Sequence, residues 1–353
     1  MPRTRDFRAL DSFRGLAALA IVICHLPLLR AGSAAEPFRN SDPFVQFFFV
    51  LSGFVLFHAY GRRLTTAATF GRFVAARSFR IFPLHLFLLG LFLLLDFILP
   101  QMVGSASIPT NLLLLQAWLP GTDGLSLNPA SWSISIGFYL SLFFGLALLA
   151  LPRGRNAAWL LLTALAFWGL LSGFDSLSRN ILMGAGGFFL GALLYPLYQS
   201  LRLLPLSQRA FTTLEITALA LLALVLDSSY SHRDLYAVAL FALVLLIFAF
   251  EGGLVSRLLV RGLFRTLGRL AFSLYLSHLA VFIALGSLVS LMFRNGRPAL
   301  LDPLLAPFAV VCVIALSGLT YRYIERPGVA LERRLLTPRP SATRAGKVSQ
   351  TSG

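Results

Sequence analysis

Apolar and polar positions alternate along this chain on a scale of whole helices. Ten long apolar stretches fall near residues 13–30, 44–60, 81–100, 131–151, 156–173, 180–199, 211–227, 234–250, 268–292 and 303–323. Each approaches the roughly 20 residues needed for a helix, rising about 1.5 Å per residue, to cross a hydrocarbon core about 30 Å thick. A shorter apolar run, 111–119, cannot cross and reads as a re-entrant piece. The pattern predicts an all-α, polytopic integral membrane protein with ten transmembrane helices.

Charge tests that count. Of the 353 residues, 57% are hydrophobic and only 12% charged, too apolar for a soluble domain and the opposite of a disordered chain. The 30 Lys and Arg against 14 Asp and Glu leave a net charge of +16. In a chain this apolar, such an excess points to basic loops between spans rather than to nucleic acid. With the N-terminus assigned to the cytoplasm, 24 basic residues fall on the inside and six outside: Arg30, Arg39, Arg179, Arg233, Arg294 and Arg297. The bias never reverses from loop to loop, as a miscounted span would make it do. Both termini are therefore expected in the cytoplasm.

The ends and the cysteines add little chemistry. Residues 1–35 superficially resemble a secretory signal, but His25 and Pro27 interrupt the apolar stretch. From 329 to 353 the chain turns polar and is expected to form a disordered cytoplasmic tail, leaving 7–328 as the membrane domain. Cys24 and Cys312 both lie in apolar runs, which suggests neither a disulfide framework nor a thiolate metal site. No phosphate-binding glycine loop, nucleophile elbow or metal-ligand spacing is present.

Ionisable groups within spans are costly, which makes them functional candidates. Arg14 and His25, eleven residues apart on the first span, project from one helix face about 16 Å apart along the axis. Anchoring at the membrane edge would by itself account for Arg14, and an interhelical hydrogen bond for His25. Arg77 and Arg80, in the segment before the third span, share a face at i, i+3 and suit a phosphate clamp; two inside-positive anchors would look the same. His85, just beyond, reads as interfacial. The fourth span opens with Ser131, Trp132, Ser133 and Ser135, a pattern that capping and an aromatic belt also explain. Ser273, Tyr275, Ser277 and His278 mark the ninth span, where helix–helix hydrogen bonding is the simpler account. At the end of the tenth, Glu325 is spaced to pair with Arg322 at i, i+3.

Taken together and in order, seven short motifs carry a resemblance. They are Leu10-Asp11-Ser12-Phe13-Arg14-Gly15 with His25 beyond it, Phe48-Phe49-Val50-Leu51-Ser52-Gly53-Phe54, and Arg77-x-x-Arg80-Ile81-Phe82-Pro83. Trp132-Ser133-Ile134-Ser135, Gly187-Phe188-Phe189-Leu190-Gly191 and Ser273-Leu274-Tyr275-Leu276-Ser277-His278 follow, and Tyr321-Arg322-Tyr323-Ile324-Glu325-Arg326-Pro327 closes the series. The chain resembles membrane acyltransferase family 3, the bacterial O-acetylase type that modifies lipopolysaccharide, peptidoglycan and other glycans. The resemblance spans about residues 7 to 328.

It implies a function for several positions. Arg14 and His25 match the family's catalytic Arg-x10-His motif, and Arg77 and Arg80 its Arg-x-x-Arg motif, associated with the acyl donor. Ser52, Trp132, Ser133, Ser135, Tyr275, His278, Arg322 and Glu325 would handle the acceptor or support the site. The expected reaction moves an acyl group, acetyl by analogy, from acyl-CoA to a hydroxyl of a glycan, glycolipid or small glycoside, in a bacterial cytoplasmic membrane and without a metal. His25 would act as general base or as a transient acyl carrier. One departure stands out: Gly137 occupies a position where the family usually has Glu. A transporter of an acylated or anionic metabolite is the rival reading, although the chain shows neither matching halves nor a pair of broken spans.

Overall fold

The computed structural model describes residues 6–26, 42–98, 107–119, 126–151, 153–173, 176–203, 205–228, 232–293 and 301–336. Every regular element among them is helical. In chain order these are α1 (Arg8–Cys24), α2 (Asp42–Tyr60), α3 (Ala67–Ile98), α4 (Ile108–Leu112), α5 (Ser131–Ala150), α6 (Arg155–Leu171) and α7 (Ser176–Leu201). There follow α8 (Gln208–Asp227), α9 (Arg233–Ala249), α10 (Leu254–Leu259), α11 (Gly262–Met292) and α12 (Asp302–Thr320). A π-helical turn, Tyr321–Glu325, then leads into α13 (Arg326–Leu336).

A helix coincides with each of the ten apolar stretches. Among the described residues, seven helices are long and apolar enough to cross a membrane. The remaining three, α1, α6 and α9, have 17 residues each, about 25 Å of helix. The helix surfaces agree with a lipid environment. Phe97, Leu160, Trp168, Leu224 and Met292 are all more than half exposed, scattered over outward faces where water would penalise them.

Several elements differ from the hydropathy reading. α3 begins at Ala67, so Arg77 and Arg80 sit within a helix and not in a loop before it. Thr66 and Thr69 start that helix by exchanging side-chain and backbone hydrogen bonds, with Thr69 N–H donating to Thr66 Oγ1 at 3.2 Å and Thr66 N–H to Thr69 Oγ1 at 3.0 Å. Nothing stops it before Pro83, which the helix absorbs. Hydropathy windows miss such extensions because polar turns outside the lipid lower the average without breaking the helix.

At the other end of the chain, α13 continues to Leu336, well into the segment that composition marks as a polar tail; residues 337–353 lie outside the described ones. The run 111–119 forms a short, partly buried piece too brief to cross, with Leu112 and Leu113 exposed. After the short α4, Leu114 adopts φ 58°, and Leu114, Gln116 and Ala117 are all buried. Irregular backbone is tolerated at membrane depth when protein surrounds it.

Two close helix crossings organise the bundle, and both are built on glycine. α1 meets α11 where Gly15 and Gly268 face each other: a Cβ on Gly15 would lie 2.4 Å from Gly268 N, and one on Gly268 would lie 2.2 Å from Asp11 O. Ten residues further along both helices, the rings of His25 and His278 meet, so α1 and α11 run parallel. α2 meets α7 in the same way. A Cβ on Gly53 would fall 1.8 Å from Phe188 O, and one on Gly191 would fall 1.9 Å from Val50 O. Small residues at such crossings let backbones approach and gain dispersion contacts that lipid cannot supply. Around them, aromatic side chains fill the interior. Trp159 is sandwiched between Phe144 and Phe189, each 5.3 Å away.

Candidate functional site

Polar groups inside the bundle gather in two places along α1. The first lies near its N-terminal end. The Arg14 guanidinium donates from Nη2 to Gly268 O at 2.9 Å and stands 3.6 Å from Asp11 Oδ1. The glycine crossing explains this contact: with no side chain at position 268, the carbonyl of α11 is reachable from α1. Arg14 also lies within electrostatic range of Arg80 and Glu325. Glu325 is buried, receives a hydrogen bond from Ser273 Oγ at 3.0 Å, and is felt by both arginines. Arg77, one helical turn from Arg80, is felt by Arg80 and by Tyr60. Arg14 and Arg80 therefore lie within electrostatic range of one buried carboxylate, and Arg77 stands beside Arg80. The Nε atoms of Arg14 and Arg77 are buried without a hydrogen-bond partner.

The expected Arg322–Glu325 pair does not form. Arg322 is exposed, its guanidinium carbon 5.4 Å from the centre of the Tyr323 ring. The π-helical turn accounts for the difference. Arg326 N–H bonds back five residues to Tyr321 O, and the wider spiral removes the i, i+3 alignment of an α-helix. Glu325 is turned inwards to Ser273 and the arginines instead.

The second cluster surrounds His25, which closes the C-terminus of α1 and is 4% exposed. Its Nδ1–H donates to Ile21 O at 2.8 Å. A carbonyl only accepts, so the neutral ring carries its lone pair on Nε2. The His278 ring stands edge-to-face against it at 4.9 Å. His278 Nδ1–H donates to Tyr275 O at 2.6 Å, which puts its lone pair on Nε2 as well. The Tyr275 hydroxyl donates to Ala130 O at 2.9 Å and lies 2.7 Å from Ser133 Oγ, from which it accepts. Asn128 joins the loop before α5 to α11 by donating from Nδ2 to Leu276 O at 2.9 Å.

The remaining sequence candidates support this geometry. Ser135 Oγ donates to Leu114 O at 2.5 Å, pinning the buried piece after α4 to α5. Half-buried Trp132 packs on Phe49, with ring centres 6.4 Å apart. Ser52 precedes the Gly53 crossing and hydrogen-bonds to neither cluster. A Cβ at Gly137 would touch only Phe49 Cε1, at 3.7 Å, so the position is open to a side chain. His85 departs from its interfacial reading. It is 1% exposed and donates from Nε2 to Asn111 O at 2.8 Å, because α3 carries it beneath the short α4.

Two supporting residues escape a reading of motifs. Gln116 donates from Nε2 to Ser131 Oγ at 3.0 Å, and the Asn111 side-chain oxygen accepts from Ser126 Oγ at 3.1 Å and Leu127 N–H at 3.0 Å. Ser126 also bonds Ser131. A lone amide in an otherwise apolar run was the available signal, since an amide is placed there at a cost unless it has partners.

Chemically, one end of α1 offers cationic donors with unused capacity, and the other a neutral imidazole held in the tautomer of a base. Among the described residues no group of three or more His, Cys, Asp or Glu is placed to hold a metal.

Comparison with known proteins bears on this arrangement. A segment of 91 residues is 44% identical to "Protein 2 in picA locus" of Rhizobium radiobacter. That match covers 24% of this chain and 43% of the relative, so the chain spans less than half of that protein's length. No solved structure matches. The profile of the acyltransferase domain of family 3 matches residues 7–322, taking in the three arginines and both histidines and ending just short of Glu325. On that match the chain belongs to acyltransferase family 3.

Proposed function

We propose that the protein is an integral-membrane O-acyltransferase that takes an acyl group, acetyl in the simplest case, from acyl-CoA to a hydroxyl of a carbohydrate-type acceptor. The observation that carries this reading is the placement of two unlike chemistries on one helix. Arg14, with Arg80 and Arg77 beside it, provides guanidinium donors at one end of α1. His25 provides a lone pair about 16 Å away. A nucleotide thioester is a polyanion with a long neutral arm ending in the reactive carbonyl. It fits a site whose cations and base are far apart.

In this reading the donor's phosphates sit among Arg77 and Arg80, and its arm follows α1. His25 Nε2 takes the proton of the acceptor hydroxyl as its oxygen attacks the thioester carbonyl. The C–S bond breaks, and the departing thiolate receives the proton. Acyl ester and free thiol are the products.

The membrane topology belongs to the same proposal. Ten spans with both termini in the cytoplasm put the arginine cluster on the side where acyl-CoA is made and His25 towards the outer face of a bacterial cytoplasmic membrane. Parallel packing of α2 and α7 supports this count, because it requires an odd number of crossings between them, and α3, α5 and α6 provide three.

The test uses full-length protein in liposomes, with radiolabelled acetyl-CoA and envelope glycans from the source organism. His25→Ala is expected to abolish label transfer while eluting as the wild type does on size exclusion. Transfer that persists in that variant overturns the assignment. Mass spectrometry of the glycans then names the acyl group and the acceptor.

A further inference from the structure

At the N-terminal base of α1 lies a cavity of about 380 Å³, lined by Asp6, Arg8, Glu251, Ser256, Arg257 and Val260. None of these residues belongs to either polar cluster described above. The walls are fixed. Glu251, whose backbone lies in the left-handed region at φ 55°, accepts from Ala9 N–H at 2.9 Å and ties the turn after α9 to the start of α1. α10 forms the other wall. Wholly buried Glu215 accepts from Gly253 N–H at 3.1 Å, Val255 N–H at 2.9 Å, Ser256 N–H at 3.3 Å and the Ser256 hydroxyl. With the first turn of α10 committed in this way, the chemistry of the cavity is that of its charged side chains.

Two carboxylates and two guanidiniums face this space without neutralising one another. Among the described residues, neither Arg8 nor Arg257 forms an ion pair with Asp6 or Glu251. Ala9 N–H takes one of the several acceptor positions of the Glu251 carboxylate. Separated charges of both signs around one cavity suit a ligand that carries both: an anion for the arginines and a hydrogen-bonding cation for the acids. A lipid-facing surface adjoins it. Leu254 and Leu258 are exposed and share one face of α10 at i, i+4, and Leu263 is exposed just beyond. At about 100° per residue, Arg257 lies about 60° round the helix from Leu254 on one side and from Val260 on the other. The arginine therefore stands on the seam between a face suited to acyl chains and the charged cavity.

We infer that the cavity is a headgroup site for a zwitterionic phospholipid with a primary amine, of the phosphatidylethanolamine type. Arg8 and Arg257 take the phosphate, Asp6 and Glu251 the ammonium, and the acyl chains run over Leu254 and Leu258. Because Glu251 also holds Ala9, the bound headgroup braces the first turn of α1, the helix that bears Arg14 and His25. In the topology proposed above, the lipid belongs to the cytoplasmic leaflet. The site does not depend on acyl transfer, and neither does its test.

The experiment places full-length protein in detergent micelles with equimolar dioleoyl phosphatidylethanolamine, phosphatidylglycerol and phosphatidylcholine, and counts retained lipid by native mass spectrometry. Wild type should hold the ethanolamine lipid about 5-fold or more over phosphatidylglycerol, which lacks the cation. The same margin is expected over phosphatidylcholine, whose quaternary ammonium has no N–H to donate. Arg257→Gln should lower retention of the ethanolamine lipid about 5-fold or more. Asp6→Asn should leave the phosphate contact and cut the preference over phosphatidylglycerol about twofold or more. Both residues are exposed; if either variant fails to elute as a folded protein, the three-lipid comparison on wild type carries the test. Equal retention of the three lipids by wild type, or retention unchanged in folded Arg257→Gln, overturns the inference. Glycerophosphoethanolamine, the same headgroup without acyl chains, should compete poorly. Displacement by it as efficient as by the whole lipid overturns the assignment to a lipid.

Discussion

An arginine inside a membrane bundle needs either partners or a ligand, and Arg14, Arg77 and Arg80 have fewer partners than donors. Glu325 is a buried carboxylate within electrostatic range of Arg14 and Arg80. Replacing Glu325 with Gln keeps an acceptor for Ser273 but removes that charge. Transfer should fall about 10-fold or more, and a double-mutant cycle with Arg80→Gln should show coupling of about 1 kcal/mol or more. Additive losses would remove Glu325 from the cluster. Arg80→Gln by itself should raise KM for the acyl donor about 10-fold or more and change kcat less, as expected of a phosphate contact. An unchanged donor KM would place the phosphates elsewhere. Sequence singled out every one of these arginines, because basic residues next to apolar runs are easy to see. It did not reveal which of them meet Glu325. The i, i+3 rule named Arg322, and the π-turn ahead of Pro327 redirected the carboxylate.

At the scale of helices, the close crossings are the parts most sensitive to single atoms. Gly53→Ala would set a methyl group 1.8 Å from Phe188 O, so α2 and α7 must separate. The expected cost is about 1–3 kcal/mol, read as a clear fall in the thermal midpoint in detergent. Gly137→Ala is the control. Its Cβ meets one ring atom at an ordinary 3.7 Å, and the midpoint should shift by less than about 1 kcal/mol in either direction. Equal effects from the two would mean that the α2–α7 approach is not a packing determinant. The glycine motifs were visible as motifs, but their partners were not: hydropathy locates a span along the chain and carries no information about which span it touches.

For the whole molecule, the orientation is open to a direct measurement. With Cys24 and Cys312 replaced by Ser, a single cysteine at Ser172, the exposed end of α6, should react in intact cells with a membrane-impermeant maleimide. A cysteine at Arg63, after α2, should react only once the membrane is opened. The reverse pattern would invert the topology and put the arginine cluster on the wrong side for a cytoplasmic donor.

What the sequence by itself determined was the one-dimensional architecture. A helix needs about 20 apolar residues to span lipid, and basic loops stay inside. Both rules act on the chain locally, so they can be read without a structure, and the ten stretches, the charge asymmetry and the short 111–119 piece followed from them. Only the tertiary structure decided the pairings: α1 alongside α11 in parallel, Glu325 with Ser273 in place of Arg322, His85 beneath α4, and two histidines more than 250 positions apart in edge-to-face contact. These depend on where one helix passes another within a few ångströms. In lipid, that is set by small residues and buried hydrogen bonds on facing surfaces, not by the hydrophobic pattern that all spans share.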